Sequence, residues 1–151
     1  MPMKLTLAIA LDCFPTECRV QLVDSGETQT VHYAAPVQAR LKIYPGQLVA
    51  LDTNPAIPEI VYRWHYVKVE QLKGDTAVIK DHQGQLVELV NAPGLPETPQ
   101  VGDWVFATLG GNVAPSELFD IAVDGRPAHP AFLSDYAFPK VEEFYQKIMA
   151  R

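Results

Sequence analysis

Three aromatic side chains alternate with two cations near the middle of the sequence. On a β-strand, Tyr62, Trp64 and Tyr66 share one face. Arg63 and His65 then share the other face. A row of aromatic rings beside positive charges can stack unpaired bases, at about 1–3 kcal/mol per base. The same row can instead pack into a protein core or against a protein partner, so three interpretations stay open.

A second group of aromatic residues lies near the C-terminus, outside the regular hydrophobic pattern. An exposed cluster of this kind marks an interaction site. A covered cluster would instead be a strap over the mouth or edge of the protein's own fold. The candidate binding residues are therefore those of the two groups together: Tyr62, Arg63, Trp64, Tyr66, Phe132, Tyr136, Phe138 and Phe144.

Two cysteines, Cys13 and Cys18, flank the tetrapeptide Phe-Pro-Thr-Glu. If the tetrapeptide is a hairpin loop, the thiols face each other and a disulfide is geometrically conceivable. In a reducing compartment the same residues are small buried or half-buried side chains. The sequence alone leaves open whether the two cysteines pair. A metal site would need two more ligands at short spacing, and none is nearby in the sequence.

The histidines show no spacing typical of metal ligands, since they are scattered at His32, His65, His82 and His129. The sequence also lacks the G-x-S-x-G, phosphate-loop, dinucleotide-binding and H-E-x-x-H motifs. We therefore assign no catalytic residue, cofactor or metal ion, and we do not expect an enzyme. An enzyme would need acidic and histidine side chains that converge only in the folded chain.

Short strands joined by turns account for most of the chain. Hydrophobic alternation predicts strands at 4–12, 18–24, 28–34, 39–43, 47–52, 60–70, 76–80, 85–90 and 103–108. Turns rich in glycine, proline and aspartate separate these strands, for example Asp24-Ser25-Gly26 and Tyr44-Pro45-Gly46. Many short strands with such turns are typical of a β-sandwich or β-barrel, so we predict a mainly β fold.

The first half of the chain also aligns with the second. Residues 21–31 fall on 77–87 and residues 45–51 fall on 101–107, a constant shift of 56. Few positions are identical, but the order of strands and turns recurs, which indicates an internal duplication. At this shift, Tyr62, Trp64 and Tyr66 align with Thr6, Ala8 and Ala10. Large residues in one copy therefore correspond to small residues in the other, as expected for a packed junction.

Each copy is too small to leave its sheet edges open. Closure into an SH3-like or OB-like barrel removes those edges. We therefore predict two tandem small β-barrel units, at 1–58 and 59–112, followed by an irregular extension at 113–151.

The extension is predicted to end in a short α-helix at about 139–150. Pro139 suits the first turn of a helix, where its missing N–H costs nothing. Apolar residues then recur on one helical face, at Val141, Phe144, Tyr145 and Ile148. A helix this short is marginal alone and must dock on something.

Residues 67–81, followed by 101–105, resemble the layout of small-barrel hydrogenase-maturation chaperones. The functional Met-Cys start of that family is absent, because Pro2 follows Met1. The resemblance therefore implies a barrel-like layout but assigns no functional residue.

The charge distribution narrows the possible partners. The net charge is −6, and the segments 1–60, 61–110 and 111–151 each carry four basic and six acidic residues. A protein that binds duplex DNA needs clustered lysine and arginine, so this class is excluded. No apolar stretch reaches about 18 residues, so we predict no membrane span and a cytoplasmic location.

The sequence thus favours a non-catalytic protein-binding, assembly or adaptor factor. Its partner would be another protein or a macromolecular complex, held by barrel surfaces and the aromatic extension. Binding of single-stranded RNA through Tyr62, Trp64 and Tyr66 is the alternative, and an enzyme of unknown reaction is a second alternative. The sequence determines neither the identity of the partner nor the oligomeric state.

Overall fold

The computed structural model describes residues 3–35, 42–110 and 115–149, with the last two of these for their backbone only. In this part of the chain the protein is mainly β, which confirms the predicted fold class. The strands are β1 Leu5–Cys13, β2 Glu17–Leu22, β3 Thr28–Tyr33, β4 Leu48–Asp52, β5 Glu59–Lys73, β6 Thr76–Lys80, β7 Leu86–Asn91, β8 Trp104–Thr108, β9 Glu117–Val123 and β10 Arg126–Pro127. The predicted strand at 39–43 lies largely outside the described residues.

The predicted C-terminal helix is present, but the helical structure begins earlier than predicted, at Pro130, where the sequence pattern predicted an irregular segment. The helical segment consists of α1 Pro130–Phe132, a π-helical stretch Leu133–Ala137 and α2 Phe138–Met149. Pro139 lies in the first turn of α2, where proline is tolerated. Ile148, predicted on the apolar face of this helix, lies outside the residues whose side chains are described. None of the described helices is long and apolar enough to cross a lipid bilayer.

The segment before the helices is more regular than predicted, because it contains β9 and β10. Strand β9 reads Glu-Leu-Phe-Asp-Ile-Ala-Val, in which Leu118, Phe119 and Asp120 are all buried. A buried carboxylate and two adjacent buried apolar residues break the alternation expected of a strand. The pattern therefore gave no signal for β9.

The chain forms two compact units. Unit 1 is Met1–Arg63 with Ser134–Arg151, and unit 2 is Trp64–Leu133. The boundary falls inside the long strand β5, so the first part of β5 belongs to unit 1 and the second part to unit 2.

In unit 1, β1 pairs antiparallel with both β2 and β4, and β2 pairs antiparallel with β3. Strand β3 pairs parallel with the start of β5, and β5 also pairs with β4. Apolar side chains from these strands and one loop form the core, namely Ala8, Ala10, Cys18, Val20, Val31, Ile43, Val49, Leu51 and Ile60.

In unit 2, the second part of β5 pairs antiparallel with both β6 and β8, and β6 pairs antiparallel with β7. Strand β7 pairs parallel with β9, and β9 also pairs antiparallel with β8. The core of this unit consists of Val69, Ala77, Ile79, Leu89, Val105, Ala107 and Leu118.

The order of pairings is therefore the same in both units. Strands β1, β2, β3, β4 and β5 of unit 1 correspond in turn to β5, β6, β7, β8 and β9 of unit 2. Each unit has a register irregularity in its first strand, between Ala10 and Asp12 in unit 1 and between Val69 and Gln71 in unit 2. Buried residues occupy matching places in the two ladders: Ala10 and Val69, Cys18 and Ala77, Val20 and Ile79, Val31 and Leu89, Val49 and Val105, Ile60 and Leu118.

The spacing between matching residues is not constant. Ala10 and Val69 are 59 residues apart, Val31 and Leu89 are 58 apart, and Val49 and Val105 are 56 apart. The ungapped shift of 56 therefore applies to β4 and β8 only, because loops of different length lie between the other strands. Tyr66 matches Leu7 in the ladders rather than Ala10, so the predicted contrast of large and small residues does not hold there.

Candidate functional site

The predicted aromatic row divides among different neighbours. The Trp64 side chain is fully buried, and its ring lies edge-on to Phe119 with centroids 6.1 Å apart. Tyr62 is half-buried in unit 1, where its ring meets Phe144 of α2 edge-on at 5.1 Å. Tyr66 is half-buried in unit 2 and stacks on Trp104. The three side chains therefore do not form a free stacking platform.

Arg63, the cation of this segment, is half-buried in unit 1. Its Nε donates a hydrogen bond to the carbonyl oxygen of Lys42 at 3.3 Å. Burial lowers the pKa of the guanidinium below its ordinary value.

The aromatic residues of the C-terminal segment are each partly buried. The Phe132 ring lies against Gly94. A Cβ atom added to Gly94 would lie 3.3 Å from the Cε2 atom of Phe132. The Lys140 ammonium lies 4.8 Å from the centroid of the Tyr136 ring, a cation–π contact. Phe138 is half-buried as well, and Phe144 contacts Tyr62 as described above.

Three phenylalanine, tyrosine or tryptophan side chains of the described residues are exposed to solvent, Phe14, Tyr44 and Trp104, and of these Trp104 lies on a strand, at the start of β8. Its side chain is 44% exposed, and its ring stacks on Tyr66 with centroids 4.7 Å apart and planes 25° apart. Tyr66 in turn lies 5.3 Å from the ring of the fully buried Phe106. We call Tyr66, Lys68, Val101 and Trp104 the aromatic patch.

The strand register explains this arrangement. Tyr66 of β5 pairs with Phe106 of β8, and Lys68 pairs with Trp104. Side chains two positions apart on neighbouring strands share a face, so Tyr66 reaches Trp104 diagonally. Val105 and Ala107 point to the opposite face and enter the core. Trp104, Val105, Phe106 and Ala107 are all apolar, so the sequence pattern gave no signal that Trp104 is exposed, and Trp104 was missed among the predicted binding residues.

A turn holds Trp104 in place. Gly102 adopts φ +95°, which a residue with a side chain rarely adopts, and its N–H donates to the Val69 carbonyl at 2.9 Å. The Asp103 carboxylate accepts a hydrogen bond from the Gln100 N–H at 2.8 Å. Val69 N–H donates to the Asp103 carbonyl at 2.8 Å. The patch therefore begins on a rigid backbone.

A buried carboxylate lies on the same face of the sheet, because Asp120 of β9 pairs with Phe106. The Asp120 side chain is fully buried and accepts hydrogen bonds from the N–H of Ile121 at 2.9 Å and the N–H of His129 at 2.7 Å. The Nδ1 of His129 donates a third, also at 2.7 Å. Three donors compensate for the loss of water around this carboxylate.

No protein-family model matches the sequence, and no curated protein matches it with significant similarity. The function is therefore inferred from the geometry of the site.

The Asp120–His129 pair has the orientation used in general-base catalysis, because the aspartate fixes Nδ1–H and leaves Nε2 as an acceptor. Such catalysis also needs a nucleophile or substrate proton within hydrogen-bonding reach of Nε2. Within the described residues, no serine, threonine or cysteine side chain hydrogen-bonds to the pair. These hydrogen bonds hold the segment before α1 against β9. The pair therefore stabilises the fold of unit 2.

The described residues also contain no group of three or more His, Cys, Asp or Glu side chains that could hold a metal ion. The surface of unit 2 around Trp104 carries the exposed Val101 and one cation, the exposed Lys68. Burial, and then the negative charge of Asp124, raise the pKa of Tyr66, so a carboxylate also lies near the patch. An exposed apolar residue on a rigid strand is the feature that best fits binding of a partner.

Proposed function

We propose that this protein is a non-catalytic protein-binding factor, of the assembly or adaptor type, and that the aromatic patch is its binding surface. The exposure of Trp104 on the Tyr66 ring carries this proposal. Tryptophan is among the residues that contribute most to protein interfaces. Because Tyr66 already orients the indole, binding costs less side-chain entropy than it would for a free tryptophan. A cytoplasmic location is part of the same proposal.

We also propose that each unit is a small barrel of the OB-like type and that the two arose by internal duplication. In unit 1 the pairings run β1–β2–β3–β5–β4 and return to β1. In unit 2 they run β5–β6–β7–β9–β8 and return to β5. A sheet whose last strand pairs with its first has no open edge.

The surfaces of the second and third strands of each unit favour protein over nucleic acid as the partner. OB-like barrels bind oligonucleotides on these strands through aromatic side chains. Among the exposed side chains of those strands the imidazole of His32 is the single aromatic ring: they are Glu17, Arg19, Thr28, Thr30 and His32 in unit 1, and Lys80, Leu86, Glu88, Val90 and Asn91 in unit 2. One ring is too few for a row on which successive bases stack. A stacking platform for bases is therefore missing from these strands.

The chemistry of the aromatic patch indicates what kind of segment would bind. Trp104 and Val101 offer apolar area, and Lys68 lies beside Trp104 on the neighbouring strand. A protein segment with an apolar side chain at its centre and a carboxylate at its rim would complement this surface.

Replacement of Trp104 by alanine is expected to weaken partner binding by about tenfold or more, because truncating an interface tryptophan removes its contact area. The measurement is recovery of partner with the tagged full-length chain expressed in its own host, followed by affinity measurement with the purified partner. Leu86→Ala is the matched control, since Leu86 is 56% exposed in the same unit but lies on β7. Equal binding by all three proteins, or no stoichiometric partner at all, would contradict the proposal.

Tryptophan fluorescence tests the RNA alternative separately. The chain has two tryptophans, and Trp64 is buried, so a change on adding single-stranded RNA reports mainly on Trp104. We expect no change at low salt. Quenching that disappears as salt rises would favour RNA binding, because release of counterions makes such binding salt-dependent.

A further inference from the structure

The two cysteines face each other across the β1–β2 hairpin of unit 1. Cys13 and Cys18 are partners in the strand register, and their Sγ atoms lie 3.6 Å apart. Both are free thiols. The hairpin loop is closed by the Phe14 N–H, which donates to the Glu17 carbonyl at 2.9 Å.

The ladder places this pair at a site suited to a disulfide. Hydrogen-bonded and non-hydrogen-bonded residue pairs alternate along an antiparallel ladder. Because Phe14 and Glu17 form a hydrogen-bonded pair, Cys13 and Cys18 form the closer kind, with Cα atoms about 4.5 Å apart. That distance lies within the range of roughly 4.4–6.8 Å found for disulfides. Side-chain rotation alone can therefore bring the sulfurs into bonding distance.

The two thiols differ in access to solvent. Cys18 is fully buried in the core of unit 1, whereas Cys13 is half-buried at the end of β1. Phe14, the next residue in the loop, is 53% exposed. A small molecule can therefore react with Cys13 directly. Cys18 can react with it only through the Sγ atom of Cys13.

The surroundings keep Cys18 protonated. Burial, followed by the hydrogen bond and the charge of Cys13, raises the pKa of the Cys18 thiol to about 12. Burial and the neighbouring thiols also raise the pKa of Tyr33. A thiol is a nucleophile only as its thiolate, so Cys18 reacts slowly near neutral pH.

We propose that Cys13 and Cys18 form a reversible redox site that exchanges with small-molecule disulfides such as oxidised glutathione. The Cys13 thiolate attacks one sulfur of the disulfide, forms a mixed disulfide and releases one glutathione thiolate. Cys18 then gives its proton to solvent and attacks Cys13 Sγ, which releases the second glutathione. The two protein thiols are oxidised to a disulfide, and the small disulfide is reduced to two thiols.

The short loop argues for a reversible bond rather than a structural staple. Only four residues separate the cysteines. The entropic stabilisation from a disulfide grows with the length of the loop it closes, so this bond would contribute little to folding. A disulfide that contributes little stability is readily reduced.

The second unit provides matched control residues. Cys18 corresponds to Ala77 in the ladders, and the same spacing of 59 residues places Leu72 at the position of Cys13. Ala77 is buried in the core of unit 2, and Leu72 packs against it. The fold therefore accepts apolar residues at both places, which makes Cys13→Leu and Cys18→Ala variants that retain the structure.

The test uses the reduced full-length chain with oxidised glutathione, followed by intact mass spectrometry. The wild-type chain is expected to gain one glutathionyl group, then lose it and finish two hydrogens lighter than the reduced chain. Cys18→Ala is expected to stop at the single adduct on Cys13. Cys13→Leu is expected to remain unmodified, because Cys18 is buried.

The pH dependence tests the order of the two steps. Conversion of the mixed disulfide to the internal disulfide is expected to accelerate about tenfold per pH unit between roughly pH 7 and pH 9, because the thiolate fraction of a high-pKa thiol rises in that proportion. Stopped-time acid quenching and mass spectrometry give the rate. A pH-independent rate would overturn the assignment of Cys18 as the second nucleophile.

Three further results would overturn the proposal itself. One is a folded wild-type chain that keeps both thiols at a glutathione disulfide concentration that oxidises the urea-unfolded chain. Another is a chain that carries a glutathionyl group on each cysteine. The third is a mixed disulfide that never resolves. None of these outcomes depends on whether the aromatic patch binds a protein, because Trp104→Ala leaves both cysteines in place.

Discussion

Replacing Trp64 by alanine is expected to lower the free energy of unfolding by about 3–5 kcal/mol. Trp64 is the largest fully buried side chain in the described part of the chain, and its ring packs against Phe119. Truncation removes the transfer free energy of the indole and leaves a cavity that the surrounding residues fill only in part. Urea denaturation followed by circular dichroism measures the loss as a shift of the midpoint.

Trp104→Ala is the control, because it makes the same chemical change at a side chain that is 44% exposed. Its cost is expected to be no more than about 1 kcal/mol. If Trp64→Ala is too unstable to study, Trp64→Phe keeps part of the ring and gives a smaller, measurable loss. A Trp64→Ala variant as stable as Trp104→Ala would show that Trp64 does not support the fold.

The second large effect concerns the buried carboxylate of unit 2. Asp120→Ala is expected to cost about 3–5 kcal/mol, because a buried donor left without its acceptor costs about 1–3 kcal/mol and the substitution affects three donors. The substitution leaves three donors without their acceptor: the N–H of Ile121, the N–H of His129 and Nδ1 of His129. His129→Ala is expected to cost less, about 1–3 kcal/mol, because both backbone donors remain.

A double-mutant cycle separates the pair from its surroundings. The variant carrying both Asp120→Ala and His129→Ala is expected to lose about as much stability as Asp120→Ala alone, since the imidazole has no second role in this interaction. The measurement is again the urea midpoint. Simple addition of the two losses would show that Asp120 and His129 act independently, contrary to their 2.7 Å contact.

These predictions separate folding from binding within unit 2. Trp64 and Asp120 are buried and should affect stability, whereas Trp104 should affect partner affinity with little change in stability. Assays of binding by the Trp64 and Asp120 variants therefore need conditions under which both remain folded.

The comparison of the two units shows where function can differ within one pattern of pairings. Core positions match in character, as in Val20 and Ile79. On the opposite face the units diverge, because the fully buried Leu48 of unit 1 corresponds to the exposed Trp104 of unit 2. Under the proposed duplication, the two units would have kept the same core positions while one position became exposed in unit 2 only.

The sequence predicted the strands best where alternation and turn residues agree. The segment 76–80 was predicted and observed with the same bounds, and 103–108 was observed as Trp104–Thr108. Gly46 and Gly102 mark the turns before β4 and β8, and both adopt positive φ. The hairpin that brings Cys13 opposite Cys18 joins β1 to β2 through residues 14–16, and such a hairpin was one of the two interpretations that the sequence left open for the cysteines.

The sequence by itself thus determined the mainly β fold, the positions of most strands and the C-terminal helix. These depend on neighbouring residues, because alternation and turn chemistry are local properties. Only the tertiary structure decided that Trp64 is buried while Trp104 is exposed, and that Asp120 binds His129. Alternation shows that a strand has two faces, but which face is covered depends on residues distant in the chain.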